Sequence, residues 1–152
     1  MELRDVTSEN WREVVSIEPR EDQRRFVANV AYYLNLCHYG EDWRPLAIYR
    51  DHELVGFAMW AFDDSEDSHW IGGLVIGAEH QGKGYGRAAM EALLGYLAAQ
   101  PGYREAALSC DPENTVARRL YASLGFVETG ERVDEELVAR LQLGDPTTTR
   151  GG

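Results

Sequence analysis

Gly77-Ala78-Glu79-His80-Gln81-Gly82-Lys83-Gly84-Tyr85-Gly86-Arg87 is the stretch whose reading decides the fold. Before it, Trp70 to Ile76 is an apolar run interrupted by Gly72 and Gly73, with the composition of a strand. After it, Met90, Leu93, Leu94 and Leu97 share one face of a helix predicted from Arg87 to Ala99, which Pro101-Gly102 ends. A strand-to-helix turn presents unpaired backbone N–H groups at the positive end of the helix dipole, an arrangement that favours phosphate. A merely tight turn needs one glycine. Here glycines stand at 82, 84 and 86, where they permit positive φ and close backbone approach. The stretch is expected to bind an anion.

Two common phosphate motifs fit it poorly. Gly77 to Lys83 matches G-x-x-x-x-G-K, but Gly84 follows where a nucleoside triphosphatase needs Ser or Thr for magnesium. Gly84-Tyr85-Gly86-Arg87-Ala88-Ala89 matches G-x-G-x-x-A, the dinucleotide pattern. That pattern follows the first strand of its unit and needs an acidic residue closing the next strand. Here several strands precede the loop, and the next strand ends in Ser109-Cys110.

Upstream, Glu2 to Val6 reads as a short strand, and Trp11, Val14 and Val15 as a helix behind the caps Thr7 to Asn10. Pro19 and the charges to Asp22 break that helix. A second helix is predicted from Gln23 to His38, on the spacing of Phe26, Val27, Val30, Tyr33, Leu34 and Cys37. Gly40 to Pro45 is a loop. Leu46 to Tyr49 and Leu54 to Phe62 form a hairpin about Asp51-His52. Asp63, Asp64, Glu66 and Asp67 make the exposed turn that follows. Downstream, Ala106 to Ser109 is a buried strand. Asp111-Pro112 starts a helix as cap and first turn, with Val116, Ala117, Leu120 and Leu124 as its buried stripe and Gly125 as its stop. Phe126-Val127 opens a strand, and Leu137, Ala139, Leu141 and Leu143 alternate in the last. The order β-α-α-β-β-β-α-β-α-β-β describes an α/β (α+β) mixed sheet of about seven strands with about four helices, not a doubly wound one.

A chain of 152 residues suits one domain, taken as 1–143 with 144–152 as a disordered tail. Fifteen basic residues against 26 acidic ones give a net charge of −11, which disfavours nucleic-acid binding. No apolar run approaches the roughly 18 residues of a membrane span. The start, Met1-Glu2-Leu3-Arg4-Asp5, is no signal peptide. Cys37 and Cys110 stand in no metal spacing, so no metal is expected, and their small number suits a reduced, cytoplasmic protein. The single lysine of the chain is Lys83, inside the glycine stretch.

Leu74-Val75-Ile76 followed by Gln81-Gly82-Lys83-Gly84-Tyr85-Gly86 resembles the Q/R-x-x-G-x-G/A segment of the GNAT superfamily of N-acetyltransferases. Asn114, Ala117, Tyr121, Gly125 and Phe126 resemble the superfamily's N-x-x-A-x-x-x-Y-x-x-x-G-F helix. The resemblance extends from Leu46 to Leu143. It implies the acyl-CoA N-acyltransferase fold and an acetyl-CoA co-substrate. Backbone N–H groups from Gln81 to Arg87 would hold the pyrophosphate, and Leu74, Val75 and Ile76 would offer backbone groups to the pantetheine arm. Lys83, Arg87, Arg118 and Arg119 are candidate positive charges, although Arg118 and Arg119 equally suit a solvated helix face.

Asn114 is read either as a helix cap or as a side-chain contact to the cofactor, and Ala117 lies one turn on. The resemblance implies that Tyr121 donates to the leaving thiolate, where a core tyrosine is the plainer alternative. A tyrosine near pKa 10 protonating a thiolate near 8.5 is uphill by about 2 kcal/mol. The site must therefore lower that pKa, or the hydroxyl serves as a hydrogen-bond donor. Many relatives carry an acidic residue where this chain has Gly72 and Gly73, so the general base stays open among His69, Asp67 and a water on strand carbonyls. The acidic turn beside Trp60 and Trp70 suits a small cationic amine. Gln23 to Asn29 with Phe26, and Gly56-Phe57-Ala58-Met59, look similar to the polyamine (spermine/spermidine) branch. Phe26, Trp60, Asp67, His69, Trp70 and Gly72 are thus the candidate acceptor-side residues. Aminoglycosides, other amino drugs, a protein N-terminus and a non-catalytic acyl-CoA-binding module are the alternatives. Dimers are frequent in the superfamily, so a homodimer is a further expectation.

Overall fold

The computed structural model describes residues 1–40 and 42–142. Leu143 and the expected tail at 144–152 lie outside the described residues. The elements run β1 (Glu2–Asp5), α1 (Trp11–Val15), α2 (Val30–Tyr39), β2 (Arg44–Arg50), β3 (Glu53–Asp63), β4 (Ser68–Ile76), α3 (Tyr85–Ala98), β5 (Glu105–Cys110), α4 (Thr115–Ser123), β6 (Val127–Val133) and β7 (Glu136–Gln142). Single 3-10 segments occupy Glu21–Phe26 and Ala78–His80. The strands follow the order β1-β2-β3-β4-β5-β7-β6. The chain divides into two compact units, Met1–Ala61 with Ile71–Leu94, and Phe62–Trp70 with the residues from Gly95 onward.

In the first unit, β1, β2 and β3 pair antiparallel, and Asp51 and His52 turn the hairpin with φ of 50° and 70°. The register slips between Ile48 and Tyr49, a bulge next to that turn. Val14 of α1 and Val30 of α2 close over Ala47, Tyr49, Phe57, Met59 and Val75 to make the core. The helix predicted from Gln23 to His38 is in fact two pieces. Val27 is extended, and Asn29 caps α2 by accepting a 2.8 Å hydrogen bond from the Tyr32 amide. A good cap inside an apolar-periodic run restarted the helix, which the periodicity alone does not register.

Gly73 lies in β4 at φ +60, a left-handed backbone position of the kind found at bulges. A Cβ built there would come within 3.2 Å of the Tyr33 ring. At Gly72 it would meet the Trp43 ring at 3.1 Å and Met59 Cε at 3.3 Å. These glycines let aromatic rings lie flat on the strand.

In the second unit, the parallel register of β4 with β5 includes His69 with Ala106 and Trp70 with Ala107. Strand β7 pairs antiparallel with β5 along Glu105–Gln142 to Cys110–Leu137. Arg140 on β7 is the fastening of this unit. It reaches Glu105 at 2.6 Å, Glu131 at 2.9 Å, Glu66 at 3.3 Å and the Ser68 hydroxyl at 3.2 Å, and it stacks 5.3 Å from the Trp70 ring. Those carboxylates hold the guanidinium pKa above its usual value, Glu131 most strongly, against the opposing effect of burial.

Removing Arg140 leaves the mostly buried Glu105 carboxylate with uncompensated charge. Arg140→Ala is expected to cost about 3 kcal/mol, a fall in Tm of roughly 6–12 °C for a chain of this size. Restoring at least half of that loss by adding Glu105→Gln is the expected double-mutant result in thermal melts. A melt unchanged in the single variant would contradict the fastening role.

Candidate active site

The glycine stretch belongs to the first unit, and its shape follows from a few backbone ties. Strand β4 runs close to β3, where a Cβ at Gly56 would stand 2.7 Å from the Val75 carbonyl oxygen. Beyond Ile76, the Gly77 amide donates to Val55 O at 2.9 Å, and the 3-10 turn Ala78–His80 follows. The Gln81 side chain folds back, its Nε2 donating to Ile76 O at 2.9 Å. The loop is therefore pinned at its root by its own glutamine.

Gly82 and Gly84 then both take φ +79, and a Cβ at either would meet nothing within 4 Å. Glycine stands there for the backbone conformation, and the space beside it is open. Ala88 N donates to Gly84 O at 3.1 Å, which opens the ladder of α3. The amides of Tyr85, Gly86 and Arg87 precede any intrahelical acceptor. The helix start with its unpaired amides thus lies next to glycines that border open space, with Lys83 in the same loop, an arrangement that fits a pyrophosphate. Leu74 is half-buried while Val75 and Ile76 are buried, so their side chains anchor β4. Arg87 leans on Glu91 at 3.6 Å. Arg50, at the end of β2, was missed in sequence. Its guanidinium lies 5.3 Å from the Tyr85 ring centroid, and only the hairpin register brings it there.

The second motif lies in the second unit. Asn114, rather than Asp111, caps α4, with Oδ1 accepting from the Ala117 amide at 3.3 Å. Asp111 Oδ1 instead accepts from Glu113 N at 2.8 Å, closing a turn ahead of the helix. The cap uses the oxygen of the Asn114 amide. Val116 is 69% exposed, so it drops out of the predicted buried stripe, and the stripe's other members Ala117, Leu120 and Leu124 are only half-buried. The Val116 side of the short helix faces solvent.

Arg118 grips Glu128 with bonds of 2.8 and 2.9 Å and also donates to Pro112 O, so its charge is committed within the unit. Tyr121 borders a cavity of about 420 Å³ with Cys110, Arg119, Phe126 and Leu137, and its ring meets Phe126 edge-on at 6.1 Å. Burial, then Cys110 and Glu136, push its hydroxyl pKa up. That direction is opposite to the lowered pKa an acid would need and favours the hydrogen-bond-donor option.

The candidate acceptor residues are largely engaged elsewhere. Arg25 covers Phe26 at 4.3 Å, Arg44 lies 5.4 Å from the Trp60 ring, and Arg140 covers Trp70. Trp60 is buried. Asp67 holds Arg104 at 3.0 Å, Glu66 holds Arg140 and the Trp70 indole, and Asp63 accepts from Ser65. Two acids of the turn, Glu66 and Asp67, thus hold arginines, while Asp63 has the neutral Ser65 as its partner. His69 is 2% exposed, between Phe62 at 4.7 Å and Tyr103 at 5.4 Å. Burial holds its imidazole below the usual histidine range, so it is neutral at pH 7 and shut away from solvent. Gly72 underlies Trp43 as described.

Residues 2–126 match the model of the Acetyltransferase (GNAT) family. The chain belongs to that family. It is an acetyl-CoA-dependent acyltransferase. A spermine/spermidine N(1)-acetyltransferase of Bacillus subtilis is 28% identical over 138 residues, covering 85% of this chain and 89% of the relative. Spermidine N-acetyltransferase from Vibrio cholerae, solved with CoA and spermine, superposes with a TM-score of 0.71 at 20% identity, over 93% of this chain and 94% of that one. Aminoglycoside acetyltransferase AAC(6')-Ib, solved with coenzyme A, gives a TM-score of 0.78 at 20% identity, over 93% and 94%. These two structures share the fold. Among the described residues, no helix is long and apolar enough to cross a membrane.

Burial pushes the Cys37 thiol up to about 11 and the Cys110 thiol up to about 12. A thiol at 11 carries about 300-fold less thiolate at pH 7.5 than one at 8.5. Native iodoacetamide labelling is expected to lag an unfolded control by at least that factor and to rise tenfold per pH unit through pH 9. Fast labelling of either cysteine at pH 7.5 would contradict their inertness.

Proposed function

We propose that this acetyltransferase moves the acetyl group of acetyl-CoA to a primary amine of a small polycation of the polyamine class. The observation that carries the reading is the open loop of Gly82 and Gly84 at the start of α3. Two things support the acceptor class, the similarity to spermine/spermidine acetyltransferases and a net charge of −11, which draws a polycation at long range.

Bound acetyl-CoA supplies the thioester whose carbonyl carbon the amine attacks and whose C–S bond breaks. In this reading the amides from Gln81 to Arg87 hold the pyrophosphate, and β4 at Leu74 to Ile76 offers backbone groups to the pantetheine arm. Asn114 and Ala117 belong to the same co-substrate's second motif. Tyr121 donates a hydrogen bond to the sulfur as negative charge develops on it. Its raised pKa keeps its own proton in place, so it stabilises charge rather than delivering an acid.

The proton of the amine is the larger problem. An alkyl amine of pKa about 10.4 is neutral about once in a thousand molecules at pH 7.4, a penalty of about 4 kcal/mol. With His69 buried and Asp67 beside Arg104, this reading gives the amine proton to water.

Free-thiol release from acetyl-CoA with spermidine, an aminoglycoside and a neutral amino acid amide tests the acceptor class. Spermidine is expected to win, and preference for the neutral amide or the aminoglycoside would overturn it. Removal of the amine proton by water predicts that log(kcat/KM) climbs with unit slope up to about pH 9, because only the neutral amine attacks. A plateau beginning near pH 6 would instead identify a histidine base. Tyr121→Phe is expected to lower kcat roughly 30- to 1000-fold, or about 2–4 kcal/mol, with acetyl-CoA affinity and Tm nearly unchanged. Normal kcat with a lowered Tm is what a core tyrosine would give.

A further inference from the structure

Arg50 is the feature of the first unit that the family motifs do not absorb. It closes β2 one residue before the Asp51-His52 turn, and its guanidinium lies 5.3 Å from the centroid of Tyr85, the first residue of α3. Lys83 Nζ reaches the same ring at 5.9 Å, and the His80 ring stacks on it at 6.2 Å. The Tyr85 ring thus gathers Arg50 and Lys83 beside the left-handed glycines. The backbone explains how a hairpin tip arrives there. Gly77 N is tied to Val55 O, so the loop's root is bonded to the strand that leaves the Asp51-His52 turn. His80 Nε2 also stands 3.8 Å from Glu53 on that strand.

The acid nearest to Arg50 is its neighbour Asp51, at 3.3 Å on the exposed turn, and the Arg50 side chain is 52% exposed. An exposed pair between adjacent residues is weak and is given up readily for a better anion. The guanidinium stands within cation–π range of the Tyr85 ring and donates from Nη1 to Asp51 at 3.3 Å, and its planar fork of donors matches phosphate oxygens. Its neighbourhood also matters on a chain of net charge −11, because local positive charge favours the approach of a polyanionic ligand.

We propose that Arg50 is a phosphate-binding residue for the nucleotide end of acetyl-CoA, reaching from the β2–β3 hairpin to the glycine loop and acting with Lys83. The assignment rests on the co-substrate reading above. It adds a contact from outside both family motifs and makes Arg50 a determinant of co-substrate affinity. The phosphates of the nucleotide end are of two kinds, the pyrophosphate and the ribose 3'-phosphate, and both offer the same oxygen chemistry.

Calorimetric titration of the full chain with CoA and with 3'-dephospho-CoA tests it, comparing wild type, Arg50→Gln and the exposed control Arg20→Gln. Arg50→Gln is expected to weaken CoA binding about tenfold with an unchanged melting temperature, and to flatten the salt dependence of binding. Arg20→Gln, which loses the same charge elsewhere, is expected to bind CoA like wild type. Equal losses for both ligands assign Arg50 to the pyrophosphate, whereas a loss for CoA alone assigns it to the 3'-phosphate. Unchanged affinity of Arg50→Gln for both ligands, or an equal loss in Arg20→Gln, overturns the role of Arg50 while leaving the co-substrate reading intact. A wild type that binds neither ligand overturns both.

Discussion

The left-handed backbone at Gly82 and Gly84 is the constraint on which the functional reading rests. A strand that hands over to a helix releases unpaired amides, and they stay useful only if the turn keeps them outside a ladder and clear of side chains. Two residues at φ +79 with open space at their Cβ positions satisfy both requirements. The rest of the first unit serves that turn. Gly56 lets β3 lie against β4, Val75 plants β4 in the core beneath α1 and α2, and Gln81 ties the loop back to Ile76.

Charge works on two scales in this molecule. Its overall negative balance acts at long range, where it favours cationic small molecules and disfavours phosphate backbones. At short range the charges are mostly spent on structure. The acidic turn after β3 binds Arg140 and Arg104, and arginines lie over Phe26, Trp60 and Trp70. The positive groups near the glycine loop, Arg50 and Lys83, flank a tyrosine ring, Arg50 with the single exposed carboxylate of Asp51 beside it. A negative protein that binds a phosphorylated co-substrate needs such a local reversal.

The order of elements was legible because glycine, proline and apolar period change sharply at each boundary, as at Asp51-His52 and at Gly77 to Arg87. What failed in sequence shares one physical origin. Side-chain oxygens choose among nearby amides according to backbone geometry, so Asn29 restarted α2 and Asn114 displaced Asp111 as the cap of α4. Exposure of Val116 and burial of His69 depend on what packs opposite, and no spacing rule encodes that. Arg50 was invisible for the same reason, because it reaches Tyr85 only through the pairing of β2 with β3. Composition records the charges of the acidic turn without their partners, so the arginines on Glu66 and Asp67 had no sequence signal.

Hydrogen–deuterium exchange with and without saturating acetyl-CoA tests the central claim most directly, since it reads the amides themselves. Binding is expected to slow exchange at Gly82 to Arg87 and at Leu74 to Ile76, while the β6–β7 hairpin turn at Asp134 and Glu135 exchanges as before. Acetyl-CoA binding that leaves the Gly82 to Arg87 amides exchanging at their free rates would contradict the account.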